Sequence, residues 1–287
     1  MALPTFVGIG VGRSGTRWLS QCLSEHPEIY VHPDEVYFFV TRRPHSTWSR
    51  GLEWYSSLFE KHITLGKKAW GEITPVYLFD QSSPHLLHRY VPEVKLICSI
   101  RDQSEMAYST YRLFLAQNPD IYGTKFSFWK FLIWSDIIQL AGFYLEHLKR
   151  YMEVFPRENL LILLYDDLQR DPASYVQQVF RFLDVDGQFR PQSLLKRINP
   201  QELKVKRMKI LERVSTYLTR NRHPLSGVGH LIDSLNKTAV RRDELPGRHR
   251  MAPGIRSKVA EMCREHNEQL GDFLGRDLSH WNTERSG

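Results

Sequence analysis

The sequence predicts an α/β protein with one parallel sheet flanked by helices. Apolar runs typical of strands alternate with amphipathic patterns typical of helices along most of the chain. The first apolar run contains Phe6, Val7, Ile9 and Val11 and enters a loop that holds four glycines, Gly8, Gly10, Gly12 and Gly15. A helical pattern follows, with Trp18, Leu19, Cys22 and Leu23 on one side. Parallel strands need crossover connections, which are usually helices, so this alternation favours a parallel sheet.

Three further strands and two helices are predicted in order from the N-terminal third. His26-Pro27 should stop the first helix, because the residue before a proline avoids helical geometry. Residues 29–31 and 68–72 are short apolar runs typical of strands, and a helix is expected between them at about 52–61. Residues 94–100 are longer, apolar and partly β-branched, which predicts a buried central strand.

The middle of the chain is predicted to be mainly helical. A helix over 84–90 precedes the central strand, and another over about 103–117 follows it. Two more helical patterns cover about 126–155. Residues 159–165 are then almost wholly apolar, which indicates a second buried strand.

The C-terminal third begins with a well-marked helix start. Asp171 is expected to cap a helix at 172–183, with Pro172 at its first position. Residues 190–250 form a basic, partly helical section, and residues 252–274 form an amphipathic helix. No repeat or linker divides the chain, so we expect a single domain over residues 1–287.

Composition and charge argue against a disulfide-rich protein and against a metalloprotein. The chain has 287 residues, of which 41% are hydrophobic, so it can bury a sizeable core. Its formal net charge of +7 suits an anionic ligand, although no nucleic-acid-binding module is recognisable. The three cysteines lie in apolar segments without metal-ligand spacing, so neither a disulfide framework nor a metal site is expected.

Targeting and membrane signals are not recognisable in the sequence. No apolar run reaches about 18 residues, the length needed to cross a bilayer. The first strand begins almost at once, without a charged leader and an apolar h-region. We therefore expect no membrane segment and a cytoplasmic location, while the oligomeric state is not readable.

The glycine loop is predicted to bind a phosphate-like anion. A helix N-terminus directs unpaired backbone N–H groups at one point, and Arg13, Thr16 and Arg17 add further donors. Three interpretations remain open. Gly10-Val-Gly-Arg-Ser-Gly15 fits a dinucleotide-binding loop, whereas a triphosphatase loop would need a lysine directly after Gly15. The third is a loop that carries its cation inside, at Arg13.

Two motifs together resemble a known family. Gly12-Arg-Ser-Gly-Thr-Arg17 combines a basic residue, small residues and a threonine, and Ile100-Arg-Asp102 ends the central strand with Ser109 eight residues after Arg101. They resemble the sulfotransferases that use 3′-phosphoadenosine 5′-phosphosulfate (PAPS), within them the glycosaminoglycan-type branch and its bacterial relatives. The resemblance implies a P-loop nucleotide-kinase-like sheet, the sulfotransferase fold.

The resemblance also implies which residues hold the cofactor. The glycine loop would bind the 5′-phosphosulfate, and the second motif would bind the 3′-phosphate. A basic loop near the C-terminus would close over the nucleotide. The residues so implied are Gly12, Arg13, Ser14, Gly15, Thr16, Arg17, Arg101, Ser109 and Arg248.

Other segments extend the resemblance over most of the chain. They are Glu35-Val-Tyr-Phe-Phe39, Gly51-Leu-Glu-Trp-Tyr55, Glu72-Ile-Thr-Pro-Val-Tyr77, Tyr165-Asp-Asp-Leu168 and Gly275-Arg-Asp-Leu-Ser-His-Trp281. Glu35 matches the catalytic glutamate of the family, which implies that it is the base for the acceptor hydroxyl; Glu72 and His32 remain alternatives. Arg13 is assigned electrostatic stabilisation, because an arginine does not readily release a proton.

The predicted function is sulfuryl transfer from PAPS to a hydroxyl, or less readily an amine, of a carbohydrate or small molecule. The product would be adenosine 3′,5′-bisphosphate (PAP), no metal is required, and the basic charge suits an anionic acceptor. Two other functions fit the loop: a nucleotide-dependent kinase or dinucleotide enzyme, and a non-catalytic anion-binding protein of the same fold. The missing lysine and the second anion motif argue against the first.

Overall fold

The sheet is parallel, as the sequence predicts. The computed structural model describes residues 1–41, 45–118, 127–135, 137, 143–195, 251 and 253–283. Its strands are β1 Phe6–Gly10, β2 Ile29–Val31, β3 Ala69–Ile73, β4 Lys95–Ile100 and β5 Leu160–Leu164. They form one five-stranded sheet in the order β2-β3-β1-β4-β5, with each neighbouring pair parallel.

Helices connect these strands across both faces of the sheet. They are α1 Thr16–Ser24, α2 Gly51–Thr64, α3 Ser83–Tyr90, α4 Gln103–Gln117, α5 Phe128–Trp134, α6 Tyr144–Met152, α7 Tyr165–Arg170, α8 Pro172–Phe182 and α9 Pro253–Leu274. The predicted cap is confirmed, because the Asp171 side chain accepts from the Ser174 backbone N–H at 3.0 Å. The short helix α7 directly after β5 was not predicted.

Two hydrophobic cores lie on opposite faces of the sheet. Successive strand residues point to opposite faces, so Phe6 and Ile97 belong to one core and Val7 and Leu96 to the other. The apolar sides of α1 and α8 fill the Phe6 core. Burial on both faces explains why the central strands are nearly continuous apolar runs.

The strand order creates a switch point between β1 and β4. The chain leaves β1 toward β2 on one side and later crosses to β4 on the other. Ligands of open parallel sheets bind outside the carboxyl ends of the strands at such a point. The glycine loop follows β1 and Arg101 follows β4, so both predicted anion motifs flank this position.

The C-terminal motif packs against the start of α7. Arg276 donates two hydrogen bonds to the Asp167 carboxylate, at 2.8 and 2.9 Å, and the indole of Trp281 donates to Asp166 at 3.1 Å. Trp281 is almost fully buried. The segments 165–168 and 275–281, which resemble the family separately, therefore hold each other in place.

The contacts of the chain group into two compact units. One consists of Met1–Tyr111, Phe126–Ile198 and Ala252–Gly287, and it contains the whole sheet. The other consists of Arg112–Lys125 and Asn199–Met251. The single-domain organisation stays a prediction. Among the described residues, every helix is too short or too polar to cross a membrane.

Candidate functional site

The glycine loop leaves the N-terminus of α1 open to a ligand. Gly15 is the N-cap residue, with φ +84°, and no side chain of the described residues caps the helix. No acidic residue lies in the first turn either. The first N–H groups of α1 therefore have no capping side chain in the described structure, which favours an anion there. Thr16 begins the helix, and Arg17 is exposed beside it.

A buried serine in the loop supports this interpretation. Ser14 is fully buried, and its Oγ has no hydrogen-bond partner among the described residues. Its backbone oxygen accepts from Ser99 Oγ at 2.6 Å, and Ser99 Oγ in turn accepts from Tyr175 OH at 2.7 Å. Buried hydroxyls are nearly always paired, so the free Ser14 Oγ fits a site that takes an oxygen-rich ligand.

Two glycines of the loop are expected to respond differently to substitution. A Cβ atom on Gly15 would lie 2.5 Å from Leu168 Cδ2, at a positive φ, whereas one on Gly12 would meet no described atom within 4 Å. We expect Gly15→Ala to lower the free energy of unfolding by about 1–3 kcal/mol, and Gly12→Ala by much less. Thermal unfolding without ligand measures both, and equal losses would contradict the expectation.

The two anion motifs are in direct contact. Arg13 Nε donates to Ser109 Oγ at 3.0 Å, and Arg101 Nη1 donates to the backbone oxygen of Arg13 at 3.0 Å. Arg13 has φ +71°, a left-handed conformation that a non-glycine residue adopts only when its surroundings hold it there. Residues that lie 88 and 96 positions apart in the chain are thus joined in one cluster.

Arg101 is held on three sides at the switch point. Its guanidinium lies 4.3 Å from the ring centroid of Tyr165 and 3.2 Å from the Glu105 carboxylate. About 15% of its side chain is exposed, so the group is largely fixed before any ligand binds. Stacking on an aromatic face orients the guanidinium plane, which suits bidentate binding of a phosphate.

An ion network extends from Arg101 to the C-terminal helix. Arg256 of α9 donates to Asp102 at 2.5 Å and to Glu105 at 2.7 Å, and Arg256 and Asp102 are both buried. The other Asp102 oxygen accepts from the Ser104 backbone N–H at 2.9 Å, which caps α4. The helix that carries Ser109 and the neighbour of Arg101 are therefore fixed by one buried cation.

Glu35 lies at the same edge of the sheet, after β2. Its side chain is exposed, and Tyr37 OH donates to its carboxylate. The imidazole ring of His32 makes a local contact, with its Nδ1 at 2.9 Å from Asp34 O. Direct contacts join Arg13, Arg101 and Ser109, whereas the described side-chain hydrogen bond of Glu35, at the same edge of the sheet, is with Tyr37.

Glu72 is fully buried at the end of β3. Its carboxylate accepts from Tyr77 OH at 2.8 Å, from Tyr55 OH at 3.2 Å and from Thr74 Oγ1. Burial raises the pKa of Glu72 from 4.5 to about 7. Among the residues that the structure describes, no cluster of three or more His, Cys, Asp or Glu side chains is placed to hold a metal ion.

Several site residues were not selected from the sequence. Ser99 and Tyr175 tie the loop to the sheet, Tyr165 stacks on Arg101, and Arg256 fixes the second motif. Ser99 carried a signal, since a hydroxyl inside an apolar strand must find a buried partner. Arg256 carried none, because its partners are distant in the chain. Arg248 lies outside the described residues, so its assignment stays a prediction.

A family comparison identifies the type of protein. The sulfotransferase domain family matches residues 4–274 of the chain. The chain belongs to this family. The matched range includes both predicted anion motifs, which are the glycine loop and the motif at Arg101 and Ser109, and it also includes helix α9. The dinucleotide and triphosphatase interpretations of the loop are not favoured by this match.

Individual relatives agree with the sulfotransferase assignment. The chain is 30% identical over 186 residues to human heparan sulfate glucosamine 3-O-sulfotransferase 6, which covers 63% of this chain and 52% of that protein. It is 30% identical over 200 residues to human bifunctional heparan sulfate N-deacetylase/N-sulfotransferase 3, covering 64% of this chain and 22% of that protein. The match therefore spans about half or less of these relatives.

The fold is also found in a crystal structure of a sulfotransferase from Alicyclobacillus acidocaldarius. The TM-score is 0.69 with 21% sequence identity, over 99% of this chain and 100% of that one. A likeness at this identity concerns the fold alone. The predicted sulfotransferase fold is confirmed.

Proposed function

We propose that the protein transfers a sulfuryl group from PAPS to a hydroxyl group of an acceptor, with PAP as the second product. The observation that carries the proposal is the contact between Arg13 of the glycine loop and Ser109 of α4. It joins two anion-binding motifs in one site. A donor with phosphate groups at both its 5′ and 3′ ends needs two such motifs, whereas a kinase or an NAD-dependent enzyme does not need the second.

The residues present fit this donor. The open N-terminus of α1, the unpartnered Ser14 hydroxyl and the open space at Gly12 suit its 5′ end. Arg101 and Ser109 suit its 3′-phosphate. The donor would supply the sulfuryl group and leave as the bisphosphate. Arg13 would stabilise negative charge that develops at the bridging oxygen, since its guanidinium stays protonated.

Glu35 is proposed as the base that takes the proton of the acceptor hydroxyl. It is exposed at the carboxyl edge of the sheet, where an acceptor can reach it. Glu72 is a weaker candidate, because it has no exposed surface and its oxygens already accept from three hydroxyl groups. The Tyr37 hydroxyl would orient the Glu35 carboxylate for its task.

A carbohydrate with negative charge is the proposed acceptor. The names of the relatives at 30% identity refer to heparan sulfate, and the net charge of this chain is +7. Arg50 is exposed and lies 4.1 Å from the ring of Trp54. Its turn is tied to the segment after Glu35, because Thr47 Oγ1 donates to Val36 O at 2.7 Å. The cytoplasmic location stays a prediction.

The two-phosphate site is tested by thermal unfolding with PAP. Ligand at about 100 times its dissociation constant stabilises the folded state by about 2.7 kcal/mol. We expect a clear rise in the unfolding temperature with PAP and a much smaller one with AMP, which lacks the 3′-phosphate. Arg101→Ala should remove most of the difference between the two ligands, because it removes the guanidinium at the proposed 3′-phosphate site.

Arg89→Ala is the matched control for the loss of a positive charge. Arg89 is exposed on α3, away from the glycine loop in the chain, and the variant should respond to PAP like the parent. A shift with ATP and magnesium or with NAD, but none with PAP, would overturn the proposed function. Transfer of labelled sulfate to a heparan sulfate fragment then tests the acceptor separately.

A further inference from the structure

The buried carboxylate of Glu72 reaches the segment after the proposed base through two hydroxyl groups. Thr74 and Tyr77 each donate their hydroxyl hydrogen to Glu72. The Thr74 oxygen accepts from the Val36 backbone N–H at 2.9 Å, and the Tyr77 oxygen accepts from the Phe38 N–H at 2.9 Å. Each hydroxyl therefore links the carboxylate to the backbone of residues 35–39, called here the 35–39 segment.

We propose that Glu72 is a positioning residue for sulfuryl transfer, which fixes the 35–39 segment and with it the side chain of Glu35. The inference rests on the proposed function, in which Glu35 is the base. Glu72 does not contact the acceptor in this role, since it is fully buried. It acts only through the hydroxyls of Thr74 and Tyr77.

The numbers of donors and acceptors in the cluster favour an ionised carboxylate at position 72. A hydroxyl has one hydrogen, so a hydroxyl that donates to Glu72 presents only lone pairs to the backbone N–H groups. An ionised carboxylate has enough lone pairs for Thr74, Tyr77 and Tyr55 together. A protonated Glu72 or a glutamine brings a hydrogen of its own into the cluster. A hydrogen on the oxygen that faces Thr74 displaces the hydroxyl hydrogen of Thr74, which must then turn to another acceptor, and this changes the link from Thr74 to the Val36 N–H.

Strain in the segment indicates that it needs such support. Tyr37 has φ +55°, a left-handed conformation that costs a non-glycine residue free energy and persists only when neighbouring structure imposes it. Its backbone N–H points at Thr74 Oγ1, at 3.4 Å. Phe38 stacks on Tyr55 with ring centroids 4.4 Å apart, so the same cluster also holds the segment through its apolar side chain.

In the described cluster of Glu72, Tyr55 and Tyr77, Glu72 is the group whose protonation state changes near neutral pH. Burial raises the pKa values of Tyr55 on α2 and Tyr77 after β3 well above their usual range, so both stay neutral hydroxyl donors. None of the ion pairs among the described residues involves Glu72. Its charge is therefore met by hydroxyl groups in this part of the chain.

The stability and the activity of the protein should depend on pH in opposite directions. The pKa of Glu72 is raised from 4.5 to about 7 in the folded state, so the folded protein binds a proton that the unfolded chain releases. The contribution of this group to stability is fully present below about pH 4.5 and is lost as the pH rises through about 7. Activity should change the other way, because the ionised form holds the segment.

The first test is the pH profile of kcat for the full chain and for Glu72→Gln. The parent should lose activity as the pH falls through about 7. The variant should have a kcat lower by about 10- to 100-fold, with KM for PAPS little changed, and should lack that acidic limb. A parent-like kcat and profile in Glu72→Gln would overturn the proposal.

The second test does not depend on turnover. At pH 8, amide hydrogen exchange of Val36, Phe38 and Phe39 should be faster in Glu72→Gln than in the parent. In the parent, these amides should also lose protection when the pH is lowered from 8 to 5.5, after the exchange rates are corrected for the intrinsic effect of pH. If the parent shows no sulfuryl transfer, the proposed function fails, and exchange alone then decides whether Glu72 holds the segment. Unchanged exchange overturns that role.

Variants of the linking hydroxyls separate positioning from folding. Thr74→Val removes one link and should reproduce the loss of kcat and the faster exchange. Thr74→Ser keeps the hydroxyl, so its kcat and its exchange rates should be close to those of the parent. Tyr55→Phe is the matched control, because Tyr55 OH contacts Glu72 without accepting from the segment in any described hydrogen bond. If Tyr55→Phe and Thr74→Val have equal effects on exchange at residues 36–39, the links are not specific and the proposal is overturned.

Discussion

Replacing Glu35 by glutamine is expected to lower kcat for sulfuryl transfer by about 100- to 10,000-fold. Glutamine keeps the size of the side chain but cannot take the acceptor proton. The affinity for PAP should be unchanged, because Glu35 lies after β2 and has no hydrogen bond to Arg13, Arg101 or Ser109 among the described residues. Steady-state kinetics and a PAP-induced thermal shift measure the two quantities.

Asp34→Asn is the matched control for this substitution. Asp34 is also exposed and carries the same charge one position earlier, so its variant should turn over at a rate close to that of the parent. A Glu35→Gln protein with parent-like kcat would exclude Glu35 as the base. A loss of PAP binding in that variant would instead place Glu35 at the donor site.

Replacing Arg256 by methionine is expected to be the most destabilising of these changes, at about 3–5 kcal/mol. Methionine keeps much of the apolar volume but leaves the buried Asp102 without its cation, and Glu105 loses one partner. For a chain of this length the loss corresponds to roughly 10 °C in the unfolding temperature. The PAP-induced shift should also shrink, because Glu105 is shared with Arg101.

Arg264→Met on the same helix is the control for a lost surface charge. Arg264 is exposed, and its substitution should change the free energy of unfolding by less than about 0.5 kcal/mol. Urea unfolding of both variants gives the comparison. If Arg256→Met is as stable as Arg264→Met, the network from α9 to Asp102 is not a determinant of stability.

Local patterns were sufficient to predict most elements. The helix at Gln103–Gln117 and the strand at Ile29–Val31 occur where the sequence places them, and the other strands begin or end within a residue or two of their predicted limits. Helix α7 was missed because Tyr165–Arg170 follows β5 directly, without a turn or a loop between them. Residues 196–250, which the sequence describes as basic and partly helical, lie outside the described structure.

The sequence indicated the anion-binding residues of the candidate site but not the hydrogen bonds between them. Arg13, Arg101 and Ser109 were selected as anion-binding residues, and their roles stay predictions. Pattern alone did not reveal that they touch each other. The contact depends on β1 and β4 being neighbours in the sheet, which follows from the packing of the whole chain.

Glu72 illustrates the same limit. From the sequence it is a second carboxylate at the end of a strand, and a base by analogy with Glu35. Only the folded chain shows that it is fully buried and surrounded by three hydroxyl donors. Burial changes both its pKa and its use, because a carboxylate that an acceptor cannot reach can organise its neighbours but cannot take a proton from that acceptor directly.

Sequence patterns were enough to predict the alternation of strands and helices, the glycine loop, the Asp171 cap and the family resemblance. These depend on side-chain periodicity and on turn chemistry within a few residues. The folded chain was needed to show that Arg13 contacts Ser109, that Arg256 pairs with Asp102, and that Thr74, which donates to Glu72, accepts from the Val36 N–H. The contacts Thr74–Val36, Arg13–Ser109 and Arg256–Asp102 join residues 38, 96 and 154 positions apart, and the packing of strands and helices, not local pattern, brings them together.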